Sequence, residues 1–135
     1  MSRWQTEVVE LHDAFERWFA GRERADDAGF ARIEGALASG FSMVTPSGAI
    51  LEREPLLTRL RSMHGSCPTM KIWVDRVEAI AASSPLAIVR YEEWQSEGDR
   101  PRGRRSTAVL RAANEVIEWV SVHETWMPDE PASPR

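Results

Sequence analysis

The sequence predicts an α+β domain in which helices come first and a sheet follows. Trp4, Val8, Leu11, Phe15 and Trp18 recur at spacings of four and three, the apolar stripe of an amphipathic helix. From Met70 onward the pattern changes to period two through four long segments, as strands require. Apart from one short strand before the third helix, helical segments precede the extended ones, so the helices are expected on one face of an antiparallel meander rather than around a parallel sheet.

Each element has its own signals. Ser2 followed by Gln5 resembles a capping box at the start of the first helix, and Gly21 supplies its stop. A shorter second helix runs from about Asp27, burying Phe30, Ile33 and Leu37 and ending at Gly40, with Gly29 and Gly35 counting against it. Phe41-Ser42-Met43-Val44 reads as a short strand closed by Pro46-Ser47-Gly48. After Ala49-Ile50-Leu51 comes a third helix, Glu54 to His64. It has Pro55 in its first turn, Leu56, Leu57, Leu60 and Met63 on its apolar side, and Gly65 at its end. The four strands are Met70 to Ala79, Leu86 to Gln95, Arg104 to Ala112 and Val116 to Trp126, broken at Ser83-Ser84-Pro85, Gly98-Asp99-Arg100-Pro101 and Asn114. Residues 1–127 are expected to form one domain and residues 128–135 a flexible tail.

Composition narrows the function. A chain of 135 residues is long enough for one continuous core. A formal net charge of -4 argues against nucleic acid as a partner. The basic run Arg100, Arg102, Arg104 and Arg105 reads as a solvated loop. Cys67 is the one cysteine, which excludes an internal disulfide and fits a reducing compartment. With no apolar leader and no stretch near the roughly 20 residues needed to span a bilayer, a cytoplasmic protein without a membrane partner is expected. There is no phosphate-cradling glycine pattern, no paired cysteine and no H-E-x-x-H spacing, so neither a cofactor nor a metal is expected. His12 reads as a boundary residue able to reach a cavity mouth.

The most informative strand is Ala87-Ile88-Val89-Arg90-Tyr91-Glu92-Glu93-Trp94. Alternation puts Ile88, Arg90, Glu92 and Trp94 on one side and Val89, Tyr91 and Glu93 on the other. A cation and an anion on an apolar strand either neutralise each other or line a ligand site.

This order of elements resembles the nuclear transport factor 2-like superfamily, which includes ketosteroid isomerases and SnoaL-like proteins. The second half is similar to the association domain of calcium/calmodulin-dependent protein kinase II and its small bacterial relatives. The residues that carry this likeness are Ala87-Ile88-Val89-Arg90, Gly98-Asp99-Arg100-Pro101-Arg102, Ser106-Thr107-Ala108-Val109 and Trp119-Val120-Ser121-Val122-His123. The resemblance implies a cone-shaped curved antiparallel sheet, three N-terminal helices closing an internal cavity, and a homodimer through the convex sheet face. It also implies that Arg90 points into the cavity.

With Arg90 inward, the expected wall is Arg90, Glu92, Trp94, Ala108, Leu110, Glu124 and Trp126, joined by Val120 and Val122, under a lid of Leu11, Phe15 and Trp18. Trp119, Ser121 and His123 then face the convex side. Apolar walls with a few convergent charges suit a small-molecule ligand of polar end and apolar body. The alternative is a hydrolase or isomerase in the same cavity. Arg90, Glu92 and Glu124 resemble the arginine and two carboxylates of limonene epoxide hydrolases, which would serve as acid and base. A second alternative is a scaffold that only dimerises, its arginine saturated by the two glutamates. Whether the protein is an enzyme stays open at this point.

Overall fold

Ser2 begins the first helix as its side chain predicts. In the computed structural model, which describes residues 1–128, Ser2 Oγ accepts from the Gln5 amide at 3.2 Å and Gln5 Oε1 from the Ser2 amide at 2.8 Å. This reciprocal box opens α1 (Arg3–Phe19). Next come α2 (Asp27–Ala36), β1 (Leu37–Val44), β2 (Ile50–Glu52) and α3 (Arg53–Ser62). The meander follows: β3 (Lys71–Ser83), β4 (Leu86–Ser96), β5 (Arg102–Ala113) and β6 (Val116–Trp126). The expected tail lies, from residue 129 on, outside the described residues.

The second helix is expected to run past Leu37, but it stops at Ala36 and β1 begins at once. Asp26 caps α2 by accepting from the Gly29 amide at 2.9 Å. Gly29 is required here rather than merely tolerated: a Cβ at that position would lie 1.8 Å from the Arg24 carbonyl oxygen. The short strand β2 extends the sheet beyond the segments predicted.

The sheet is curved and unclosed, in the order β2-β1-β6-β5-β4-β3. Every pair is antiparallel except β1 with β6, which is parallel, so the sheet is mixed rather than wholly antiparallel. β1 is added beside the last strand, and this joins the helical half to the meander. α1 lies along β3, held where Gln5 Nε2 donates to the Val77 carbonyl at 2.8 Å and Glu16 Oε1 accepts from the Ile72 amide at 2.7 Å.

The C-terminal ends of α1 and α3 are tied together. Trp18 Nε1 donates to the Leu60 carbonyl at 2.7 Å, and the amides of Gly65 and Cys67 donate to the carbonyls of Trp18 and Phe19. Trp18 itself is buried against Phe30 and His64. The core continues through Val8, Leu11, Val89, Ala108 and Leu110 between α1 and the concave sheet face. Among the described residues no helix is long and apolar enough to cross a membrane, and no group of three or more His, Cys, Asp or Glu is arranged to hold a metal ion.

Candidate functional site

The concave face is set by the register of β4, β5 and β6, which aligns side chains in rows across three strands. Glu93, Arg104 and Trp126 form one row, Tyr91, Ser106 and Glu124 the next, then Val89, Ala108 and Val122, and last Ala87, Leu110 and Trp119. The first two rows are polar and the last two apolar. A cavity of about 550 Å³ opens above them. Its roof comes from Leu11, His12, Phe15 and Phe19 of α1 and from Leu56, Arg59 and Leu60 of α3, with Met63 following, while Phe41 and Met43 of β1 close one side. α2 contributes nothing to the lining. It packs on α1 and β6 instead, so two helices, not three, cover the cavity.

One buried ion pair and one partly buried pair dominate the polar rows. His12 Nδ1 donates to the Val8 carbonyl at 2.7 Å, which leaves Nε2 facing Glu93 Oε1 at 3.1 Å. Gln95 Nε2 donates to the other Glu93 oxygen at 2.7 Å. Burial alone would push the Glu93 carboxyl up, but the His12 imidazolium, with help from Arg104 and Gln95, brings it down to about 2. Burial likewise opposes charge on His12, yet Glu93 outweighs it and the imidazole is shifted upward. Both shifts favour the imidazolium–carboxylate form of the pair. Phe15, Tyr91 and Trp119 surround the His12 ring at centroid distances of 5.4, 5.3 and 6.1 Å.

The second pair is Arg104 with Glu124. Arg104 Nη1 donates to Glu124 Oε1 at 3.1 Å, and Ser106 Oγ reaches the other oxygen at 3.4 Å. Arg104 Nε is buried with no hydrogen-bond partner. Burial and then the neighbouring Glu93 charge push the Glu124 carboxyl up, and Arg104 only partly offsets them. Tyr91 is fully covered, and its hydroxyl is driven well above the usual phenol range by burial and by the two glutamates. It stays a neutral phenol.

Of the residues expected in the site, Leu11, Phe15, Val122, Glu124 and Trp126 line the cavity. Ala108 and Leu110 do face the concave side, but as fully buried floor beneath the lining. The remaining expectations need correction. Trp18 is not a lid residue, because its indole is spent joining α1 to α3. Arg90 is solvent-exposed on the convex face, in line with Thr107 and His123. Glu92 and Trp94 share that face. Trp94 Nε1 donates to Glu92 Oε1 at 3.1 Å, and Arg76 and Arg105 each approach Glu92 Oε2 at 3.6 Å. The set Arg90, Glu92 and Glu124 is thus split across two sides of the sheet and cannot act together.

A different arginine with two glutamates, Arg104 with Glu93 and Glu124, occupies the cavity. Tyr91, expected on the far side, belongs to it as well. Strand alternation correctly grouped the side chains of β4, but nothing in it says which group faces in. One further change comes from β6, where the pairing shifts between Ser121 opposite Val109 and Trp119 opposite Leu110, so that Val120 is bulged out. Trp119 consequently turns inward, although regular alternation puts it outside with Ser121 and His123. One signal in the sequence pointed to this polar cluster: Val8, His12, Phe15 and Phe19 follow helical spacing, and a histidine on a buried line needs a polar partner from the sheet opposite.

This architecture is that of the nuclear transport factor 2-like class. An NTF-2-like protein of unknown function from Pseudomonas aeruginosa shares 31% identity, with 92% of this chain and 98% of that one covered and a TM-score of 0.85. A candidate calcium/calmodulin-dependent protein kinase type II association domain from Thiobacillus denitrificans matches in fold, with a TM-score of 0.60 at 23% identity over 87% of this chain and 92% of that one. The family model described as sucrose-6-phosphate phosphohydrolase C-terminal matches residues 4–128, and the chain belongs to that family. A probable sucrose-phosphatase 2 from Arabidopsis thaliana is 28% identical over 123 residues, which are 89% of this chain and 29% of that protein. The chain thus spans under a third of that relative's length.

Proposed function

We propose that the domain binds a small molecule in the concave cavity, with an apolar body against the aromatic and aliphatic roof and a polar group at the Tyr91, Glu93, Arg104 and Glu124 rows. One observation carries this reading: an apolar cavity of about 550 Å³ has its buried polar groups gathered at one end of the floor, as small-molecule sites do. A fold kept only for docking has no need to leave that volume open. The family's description makes a sugar phosphate one candidate to screen. Native mass spectrometry of gently purified protein, followed by thermal-shift screening that includes sucrose 6-phosphate, tests the proposal. A bound mass or stabilising compound that is lost in Phe15→Arg, which fills the cavity, supports it. Retention in that variant, or no binder from either measurement, overturns it.

The reading includes self-association through the convex face, where Leu86 and Ile88 are exposed beside Val109. Ile88→Glu is expected to convert a dimer to a monomer in light scattering at micromolar concentration, with unchanged circular dichroism. A wild-type monomer removes this part.

A second reading, acid–base catalysis in the same cavity, is favoured by one feature: two carboxyl groups in neighbouring rows are shifted in opposite directions, Glu93 down to about 2 and Glu124 upward. Side-chain carboxyl NMR titration of wild type and Glu124→Gln should find one glutamate near 2 and one above the ordinary range, the latter missing from the variant. Two ordinary titrations would remove the basis for this chemistry.

A further inference from the structure

The charges lining the cavity do not cancel. His12 is matched by Glu93 and Arg104 by Glu124, but Arg59 lines the same cavity from α3 and has no ion-pair partner among the described residues. It is exposed, so it stands at the opening rather than at the floor. A second guanidinium stands close to the opening. Arg102 lies over the Trp126 ring at 4.4 Å, and Trp126 is a lining residue that remains 42% exposed. Arg102 too has no carboxylate partner among the described residues. The wall is therefore electrically balanced where it is buried and positive where it meets water.

That distribution selects a ligand by the placement of its charge. A negative group pushed down to the buried rows would meet Glu93 and Glu124 and lose its hydration, at a cost no spare cation there offsets. At the rim it keeps part of its hydration and meets two guanidiniums with no carboxylate partner among the described residues, whose planar forks suit carboxylate and phosphate oxygens. We propose that the ligand is an amphipathic anion, seated with its carboxylate or phosphate ester on Arg59 and Arg102 at the rim and a neutral polar group inward at Tyr91 and the ion pairs. This deepens the ligand-binding reading and rests on it.

The test compares three molecules with one apolar body, 4-phenylbutanol, 4-phenylbutyrate and 4-phenylbutyl phosphate, by calorimetric titration of the full chain. Both anions should bind more tightly than the alcohol, by about two- to fivefold for each guanidinium engaged. The preference should shrink in Arg59→Gln, vanish in the double variant with Arg102→Gln, return in part in Arg59→Lys, and fade at high salt. Binding of the alcohol should change less than that of either anion in every variant. The better of the two anions in wild type tells whether a carboxylate or a phosphate ester is the natural group. Equal binding of alcohol and anions in wild type, or an anion preference that survives the double variant, overturns this inference and leaves the cavity reading standing. Failure of all three to bind overturns both.

Discussion

Replacing His12 with leucine should lower the unfolding free energy by roughly 3–5 kcal/mol, the usual cost of removing one member of a buried ion pair. Glu93 would be left in a covered site with only Gln95 donating to it and Arg104 beside it on the next strand. The double variant His12→Leu with Glu93→Leu should be more stable than His12→Leu alone, because most of the loss is the stranded charge and not the missing attraction. Urea titrations of the three proteins check this. A double variant less stable than the single would mean that the pair itself, not its desolvation, carries the energy.

The same pair shapes the pH dependence. The Glu93 carboxyl is lowered from 4.5 to about 2 in the folded state, so its contribution is complete above 4.5 and is lost as pH falls toward 2. The His12 imidazole is raised above its ordinary 6.5, so its contribution is complete below 6.5 and is lost as pH climbs through the raised value. These are two limbs of one interaction and count once. Glu124 works in the opposite sense on the acid side, since its carboxyl is raised and its protonation below that value relieves a cost. The alkaline limb is the cleaner readout, and it should disappear in His12→Leu.

Gly103→Val is the second large effect. A Cβ at this position would sit 2.3 Å from two atoms of the Trp94 ring, because the indole lies flat across the glycine directly opposite it in the β4–β5 register. Trp94 is only 1% exposed and cannot yield without leaving its place. A loss of roughly 3 kcal/mol, the upper end of overpacking penalties, is expected in thermal or urea unfolding. Tryptophan fluorescence should shift to the red as the ring meets water. An unchanged midpoint and spectrum would contradict the packing described for this face.

These sites show how far the amino-acid pattern reaches. The capping box at Ser2 and Gln5, the stripe of α1 and the four strands of the meander are legible because each follows from local chemistry within a few residues. The side that β4 turns inward is not local. Ala87, Val89, Tyr91 and Glu93 carry one charge against two on Ile88, Arg90, Glu92 and Trp94, so burial preference leans toward the first set without fixing it, since Ile88 and Trp94 are large and apolar. What decides is His12, some eighty residues earlier, whose imidazole needs an acid across the cavity. The inward turn of Trp119 depends on one extra residue at Val120, and a bulge of that kind leaves no mark in the alternation of Ser121, Val122 and His123.

The parallel contact between β1 and β6 also bears on how the molecule acquires its shape. Leu37 pairs with Trp119 and Met43 with Val122, so β1 cannot take its place in the sheet until a segment about eighty positions downstream has been synthesised. Nascent chain emerging before then holds Phe30, Phe41 and Leu57 without the surface they finally cover. Long-range closure of this sort slows folding and lengthens exposure to aggregation. Ribosome-bound intermediates halted ahead of the last strand should therefore be protease-sensitive across β1, from Leu37 to Val44.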